Sequence, residues 1–258
     1  MFAAGKAGQK KALIIVGLSV IAVVVLALGW IWYFSTARLV DANAATFHRL
    51  RKEYCAVAKA APNDTKLGTF EVPSQVRVPS LVSLYLDDGG NIGPGANAEM
   101  VELPELEWLC SGTPAYTGAI EKSALGKRVR GDEFQSNLSS IFDRERLPYL
   151  RYKGVEALLP FFSDLRYLVV IESKQLKEGS SGLTATVSLF RLEDSKRLSR
   201  LEIVLGGLEG GVAWVKRGEN VQDALLDASR FQTERSHKRA IAAAFKRERI
   251  DFAFNGLD

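Results

Sequence analysis

Histidine and cysteine are the residues that most directly suggest metal or thiol chemistry, and the sequence holds only two of each. His48 and Cys55 are close enough in sequence to share one helix face, but two ligands do not complete a structural zinc site. No CxxC or HExxH spacing occurs. Cys110 could pair with His237 as a thiolate and its base, although a disulfide or a buried thiol is the simpler interpretation. The sequence therefore predicts no metal and no cofactor.

Motifs of hydrolytic catalysis are missing from the sequence. There is no GxSxG elbow, no Ser stands three residues before a Lys, and Gly126-Lys127 is not followed by the Ser or Thr of a phosphate loop. Two carboxylates could still meet across a cleft, because sequence does not set their separation. Asp87-Asp88 is the most conspicuous pair, but it lies in a Gly-rich turn, where such residues usually cap the backbone. A hydrolase that uses carboxylates stays an open alternative.

A group of basic residues late in the chain is the candidate contact surface. Positions 230–249 hold seven bases and two acids. Ile241, Ala244 and Phe245 give this segment an apolar edge that can pack on a domain and leave the bases in solvent. The simpler interpretation is a solvated helix face, or pairing with the protein's own acidic Asp64–Glu107 sector; contact with anionic headgroups or an acidic partner is the functional alternative. The predicted contact residues are Arg235, Lys238, Arg239, Lys246 and Arg247.

The charge balance argues against nucleic-acid binding. The chain has 34 Lys and Arg against 30 Asp and Glu, a net charge of +4. Lys6, Lys10 and Lys11 precede a long apolar run, so the chain beyond that run is almost neutral. No helix-turn-helix, zinc-finger or RNP pattern appears. The sequence therefore predicts no nucleic-acid partner.

The apolar run over residues 12–34 contains no charged residue, and its length predicts a transmembrane helix. Trp30, Trp32 and Tyr33 are the predicted membrane-interface anchors. The Lys residues before the run predict a cytoplasmic segment over 1–11 and an extracytoplasmic remainder. The protein is predicted to cross a membrane once. A bacterial inner membrane, with the domain in the periplasm, is the favoured location. A cleaved signal peptide is the alternative.

Beyond this run, periodicity predicts an α+β fold. Residues 35–62 carry an apolar stripe from Leu39 to Val57, which predicts a juxtamembrane stalk helix that docks on its own domain or dimerises. Residues 63–258 form the predicted extracytoplasmic domain, an antiparallel sheet with helices on one face. The predicted strands lie at 69–78, 81–86, 167–171, 183–190, 201–205 and 212–215, and the predicted helices at 134–142, 155–159, 221–231 and 240–249.

Two cysteines in an extracytoplasmic domain favour a bond between Cys55 and Cys110, with two buried thiols as the alternative.

The function that this sequence favours is non-catalytic: an anchored protein whose domain binds another envelope or membrane-complex component. A carboxylate hydrolase and a small-ligand sensor that acts through a partner are the alternatives. The predicted partners are the lipid bilayer, through residues 12–34, and another membrane or envelope protein. Self-association into a homo-oligomer is a further alternative.

Overall fold

A computed structural model describes residues 16–17, 19–29, 31, 35–63, 66–73, 75–111, 137–142, 147–175, 183–205 and 235–256. Two helices open the folded part, α1 over Thr36–Ala42 and α2 over Ala44–Ala60. Ser35 caps α1, because its hydroxyl oxygen accepts a hydrogen bond from the Arg38 N–H at 3.3 Å. The predicted apolar stripe docks on the domain's own core, where Phe47, Leu50, Tyr54 and Val57 are buried.

The transmembrane helix predicted over residues 12–34 is contradicted by the structure. Residues 16–17, 19–29 and 31 are helical. Within the described ranges, no helix is both long enough and apolar enough to cross a membrane. The predicted helix, and the membrane location that depends on it, are therefore wrong. The predicted anchors Trp30, Trp32 and Tyr33 lie outside the described residues.

Strands form two sheets. In the described part of the chain the strands are β1 (Gly68–Thr69), β2 (Val76–Val78), β3 (Ala98–Glu102), β4 (Tyr167–Gln175), β5 (Leu183–Arg191), β6 (Arg197–Leu205) and β7 (Phe252–Phe254). The larger sheet has the order β1-β6-β5-β4-β3, and β2 pairs with β7. The β4–β5–β6 meander is antiparallel. The sheet as a whole is mixed, because β3 runs parallel to β4, so the prediction of an antiparallel sheet is corrected.

The parallel pairing follows from the helices that lie between β3 and β4, since a parallel strand needs a crossover connection. In the described ranges, the α-helices beyond β3 are α3 (Leu103–Ser111), α4 (Asn137–Phe142), α5 (Tyr152–Asp164) and α6 (residues 235–247). Helix α5 continues through Pro160, beyond the helical stretch predicted from the sequence. The predicted strand at 212–215 and the predicted helix at 221–231 lie outside the described residues.

Residues 81–86, predicted as a strand, form a loop that packs on the start of α5. The Leu84 carbonyl oxygen accepts a hydrogen bond from the Arg151 N–H at 3.0 Å. A side chain at Gly154 would collide with the carbonyl oxygens of Leu84 and Leu86. The loop therefore uses its backbone groups to contact a helix rather than to continue the sheet, which explains why its alternating apolar residues misled the prediction.

The predicted disulfide is confirmed. Cys55 of α2 and Cys110 of α3 are bonded, with their Cα atoms 5.4 Å apart. The bond joins residues 55 positions apart and ties the first long helix to the helix that follows β3. It is compatible with an extracytoplasmic location, because disulfides persist in oxidising compartments.

The larger sheet separates two cores. Side chains alternate between the two faces of a strand, so Leu168 and Val170 of β4 enter one core while Val169 and Ile171 enter the other. We call the first the disulfide-side core; it also contains Phe47, Leu50, Tyr54, Leu106, Leu109, Leu158 and Phe162. The second is the C-terminal core, which contains Val76, Val187, Leu201, Ile241, Phe245 and Phe252. Helices thus cover both faces, where the sequence pattern predicted one.

Candidate contact surface

Helix α6 is held on the sheet by its apolar residues and stopped by a tight backbone turn. Ile241, Ala244 and Phe245 are buried in the C-terminal core. The Ile250 N–H donates to the Phe245 carbonyl oxygen at 3.0 Å, and Arg249 adopts a left-handed φ of 61°. This is the Schellman arrangement that commonly ends helices. The chain then enters β7, and the rings of Phe245 and Phe252 stack with centroids 4.5 Å apart.

One of the five predicted contact residues, Lys238, is not on the surface. Its side chain is only 6% exposed. The Nζ atom donates to the Ser80 carbonyl oxygen at 2.8 Å and lies 6.0 Å from the centre of the Phe254 ring. Lys238 therefore links α6 to the loop after β2 and to β7, and it does not share the exposed face.

Three of the remaining predicted bases, Arg235, Arg239 and Lys246, share one side of the helix, and Arg247 lies about 100° round the helix from Lys246. Arg235 is half-buried, and Arg239, Lys246 and Arg247 are exposed. Arg235 and Arg239 are one turn apart, and Lys246 continues the same face. None of the three exposed bases forms an ion pair with another described residue, so no such pair connects them to the acidic sector. Their charges face solvent.

A groove of about 410 Å³ lies between α6 and the sheet edge where β1 meets β6. We call it the α6 groove. Leu201 and Ala244 form a mostly buried apolar floor. Charged side chains of both signs stand around this floor. The lining residues include Leu67, Arg200, Leu201, Glu202, Arg247 and Glu248.

Exposed apolar side chains continue from the groove along the β1 edge. Leu67, Phe70 and Val72 are 52%, 43% and 61% exposed, and Leu67 also lines the groove. We call these three residues the apolar rim. Their backbone is held in place, since the N–H groups of Phe70 and Glu71 both donate to the Leu198 carbonyl oxygen.

The Glu71 carboxylate also fixes the rim to the sheet. Lys196 Nζ donates to it at 2.6 Å, and Arg191 donates to its other oxygen. The hydrogen bond from Lys196, together with the charge of Arg191, holds the pKa of Glu71 below its ordinary value. Phe70 and Val72 therefore project from an ordered edge that charged contacts keep in position.

The α6 groove, the apolar rim and the exposed bases together form the contact surface. No protein-family model, curated protein or solved structure matches this chain. The role of the contact surface is therefore inferred from its own chemistry.

The residues that suggested thiol or metal chemistry have structural partners. Cys110 is bonded to Cys55, so it is not a free thiolate that His237 could activate. The His48 ring lies against the Phe142 ring, with centroids 5.5 Å apart. His237 is 3% exposed within α6. Cys110 packs against the disulfide-side core, whereas α6, which carries His237, packs on the C-terminal core.

Two buried carboxyl groups lie in the disulfide-side core, and the sequence did not single them out. Glu99 of β3 is 4% exposed; one carboxyl oxygen accepts from the Tyr54 hydroxyl, and the other from the Asn137 N–H at 2.9 Å. Burial raises the pKa of Glu99, although the bonds from Tyr54 and Asn137 act in the opposite direction. Glu105 accepts from the Ser139 hydroxyl at 2.6 Å. These carboxyl groups connect α2, β3, α3 and α4.

The pair Asp87-Asp88 lies in an exposed turn. One Asp88 carboxyl oxygen accepts a hydrogen bond from the Gly90 N–H at 3.0 Å, which is the backbone-capping role expected of Asp in such a turn. Gly90 has a φ of 90°, and a side chain there would collide with the Leu81 carbonyl. The described contacts of this pair are therefore those of a turn.

Sequence reasoning missed the sheet side of the contact surface. Arg200 and Glu202 alternate with Leu201 and Ile203, so their outward position was foreseeable from the strand pattern. Their place beside Arg247 was not, because no local signal shows that α6 crosses this end of β6. Leu67 also gave no signal, because β1 is only two residues long.

Proposed function

We propose that this chain is a non-catalytic binding protein, and that its α+β domain holds another protein at the contact surface. The observation that carries the proposal is the meeting of a groove with an apolar floor and an exposed apolar rim at one sheet edge, with the exposed base Arg247 at the groove. Contiguous exposed apolar surface beside charged residues is typical of protein contact sites.

Each feature supports a different part of binding. Burial of Phe70 or Val72 by a partner would contribute on the order of 1 kcal/mol, because each is already partly covered. Arg239, Lys246 and Arg247 would attract an acidic partner and speed its approach more than they would tighten the final complex. The groove supplies the shape that distinguishes one partner from another.

The non-catalytic part of the proposal is supported by the positions of the reactive groups. Both oxygens of Glu99 accept hydrogen bonds inside the core, and Cys110 is oxidised. Asp88 caps its own turn. These groups hold the fold together, whereas the contact surface combines apolar and fully solvated charged side chains.

The test is capture of partners from an extract of the source cells, with the full chain as bait. The double variant Lys246→Glu, Arg247→Glu is compared with the control Lys52→Glu, Lys153→Glu, which reverses two exposed bases on the helices of the disulfide-side core. We expect the wild type and the control to retain the same partner and the contact-surface variant to lose about tenfold of it. Equal recovery by all three proteins would contradict the proposal.

The apolar rim is tested separately with Val72→Ser. Val72 is 61% exposed, so the substitution should leave the unfolding midpoint almost unchanged. Recovery of the same partner should fall several-fold, because one apolar contact is lost. Full recovery of the partner would show that the apolar rim is not part of the contact surface.

A further inference from the structure

The sequence contains one Asn-Gly dipeptide, Asn255-Gly256, and it lies directly after β7. Asn is one of the thermally labile residues, because the backbone nitrogen that follows it can attack its side-chain amide. Gly has no Cβ, so a Gly nitrogen is the least hindered one for this attack. Gly256 is also exposed, so water and hydroxide can reach it. This dipeptide is therefore the most reactive Asn site that the sequence offers.

The Asn255 side chain joins β7 to a loop that precedes β3. Its Nδ2 atom donates to the Ile92 carbonyl oxygen at 2.7 Å and contacts the Pro94 carbonyl oxygen at 3.4 Å. The Asn255 N–H donates to the Val78 carbonyl oxygen at 2.8 Å, so its backbone extends the pairing of β7 with β2. We call residues 91–95 the 91–95 loop. The Asn255 amide is thus the polar link between this loop and the β2–β7 sheet.

The loop fits closely on this side chain. Gly93 has a left-handed φ of 69°, and a Cβ there would lie 2.7 Å from the Asn255 Cβ and 2.8 Å from its Nδ2. Gly256 has a φ of 76°, and a Cβ there would lie 3.0 Å from the Asn91 Nδ2. The amide nitrogen therefore sits against carbonyl oxygens, and only a group that carries N–H can bond them there.

We propose that Asn255 is a deamidation site, and that its conversion releases the 91–95 loop from the end of β7. The Gly256 nitrogen gives its proton to hydroxide and attacks the Asn255 Cγ. The new N–Cγ bond forms, the Cγ–Nδ2 bond breaks, and Nδ2 takes up a proton and leaves as ammonia. Water then opens the cyclic imide at either carbonyl and gives aspartate or isoaspartate. The overall reaction consumes one water and releases one ammonia.

The product cannot replace the amide in its contacts. A carboxylate has no N–H to donate, and here it would face the Ile92 and Pro94 carbonyl oxygens, which are acceptors as well. Isoaspartate also lengthens the backbone before Gly256. Both products therefore turn an attractive contact into a repulsive one. The inference does not depend on the proposed function, because neither Asn255 nor Gly256 belongs to the contact surface.

The site is tested by incubating the full chain at mildly alkaline pH and mapping its peptides by mass spectrometry. Asn43 and Asn97 are matched controls, because their amide nitrogens also donate to backbone carbonyl oxygens, those of Leu39 at 2.8 Å and Gln75 at 3.0 Å, but Ala follows each of them. We expect aspartate and isoaspartate at Asn255 before either control changes. Earlier conversion of a control would overturn the proposal.

The hold of the fold on the side chain is tested by a comparison of rates. Asn255 must leave both carbonyl oxygens before Gly256 can reach its Cγ. The reaction should therefore run about tenfold faster in urea than in the folded protein at the same pH, because each hydrogen bond contributes a factor of a few. Equal rates would show that the Asn255 amide does not hold the loop, and they would overturn the release.

Release of the loop is measured by hydrogen exchange. Asn255→Asp reproduces one product, and the amides of the 91–95 loop should exchange about tenfold faster in this variant. Asn63→Asp is the control, since it removes an amide that donates to the Lys59 carbonyl oxygen at the end of α2, and it should leave the exchange of the loop unchanged. If Asn255→Asp fails to fold, the deamidated wild type, separated by its added negative charge, is measured instead. Unchanged exchange of the loop would overturn the release.

Discussion

The two faces of the larger sheet are closed in different ways. The disulfide-side core lies under α1 to α5, is crossed by the Cys55–Cys110 bond, and encloses two carboxyl groups whose hydrogen bonds join separate elements. The C-terminal core lies under α6 and the short β2–β7 sheet, and it leaves a groove at the edge of β6. In the described part of the chain, the first face is cross-linked by a disulfide and by buried carboxyl groups, and the second is covered by α6 and the β2–β7 sheet.

This difference indicates where the protein can carry a binding surface with little loss of folding stability. The apolar rim exposes apolar groups to solvent, which weakens a fold. The disulfide and the buried network stabilise the opposite side of the same sheet. We therefore expect substitutions on the disulfide side to change stability strongly and substitutions on the contact surface to change binding.

Removal of the disulfide should have the largest effect. The double variant Cys55→Ser, Cys110→Ser should lower the free energy of unfolding by about 4 kcal/mol, because the bond closes a loop of 55 positions in the unfolded chain. Urea denaturation measures this loss. Reductant should destabilise the wild type and leave the variant unchanged, and a loss below about 1 kcal/mol would contradict the proposed division between the two faces.

The next effect belongs to the buried carboxyl network. Tyr54→Phe removes the hydroxyl that donates to Glu99 and leaves a buried carboxyl oxygen without that donor. We expect a loss of about 2 kcal/mol in urea denaturation. Tyr85→Phe is the control, since Tyr85 is 44% exposed and its hydroxyl should be dispensable. Equal midpoints for the two variants would show that the network does not stabilise the disulfide-side core.

The same network should make stability depend on pH. The pKa of Glu99 is raised in the folded protein, chiefly by burial, so the folded state holds this proton more tightly than the unfolded state does. Glu99 makes its full contribution to the free energy of unfolding below the ordinary carboxyl pKa, and this contribution is lost as pH rises through the raised pKa. Glu99→Gln should remove this loss, because the amide oxygen can still accept from Asn137 and the amide N–H can donate to Tyr54. Parallel stability profiles for the variant and the wild type over this pH window would contradict the assignment.

Lys238 and Arg239 provide a smaller test within α6. Lys238→Met should lower stability by about 1 kcal/mol, because the Ser80 carbonyl loses its donor. Arg239→Ser, at the next and exposed position, should change stability by less than about 0.5 kcal/mol. Thermal unfolding of the two variants separates a buried base from a surface base. A larger loss of stability for Arg239→Ser than for Lys238→Met would show that Lys238, and not Arg239, is the surface base.

The smallest expected effect is a stabilisation at the end of α6. Arg249 holds a left-handed φ of 61°, which Gly adopts without strain. Arg249→Gly should raise stability by about 0.5 kcal/mol. Calorimetry of the variant measures the change, and a melting temperature lower than that of the wild type would show that the left-handed backbone of Arg249 is not strained.

Local patterns predicted the elements whose partners are neighbours in sequence. Alternating residues at 183–190 and 201–205 lie in β5 and β6, and the stripe through Phe47 and Leu50 packs as its spacing indicates. The disulfide followed from there being only two cysteines. In each case the deciding information lies within one segment or in one residue type.

Other features depend on contacts that no single segment encodes. Strand β3 was missed because Glu99 places an acid at a buried strand position, and its partners Tyr54 and Asn137 lie far away in sequence. Lys238 looked like a surface base because periodicity does not show that a long side chain reaches the Ser80 carbonyl. The predicted transmembrane helix is contradicted, because no helix in the described ranges is both long enough and apolar enough to cross a membrane.

The pairing of β2 with β7 has a consequence for synthesis of the protein. Val76 and Val78 pair with Phe252 and Phe254, and all four side chains are buried in the C-terminal core. A growing chain emerges from the ribosome amino end first, so the disulfide-side elements are free to associate while β7 is still inside the exit tunnel. We expect ribosome-bound chains that have not yet released residue 254 to expose the C-terminal core and to recruit chaperones there. Completion of the fold therefore waits for translation to reach β7.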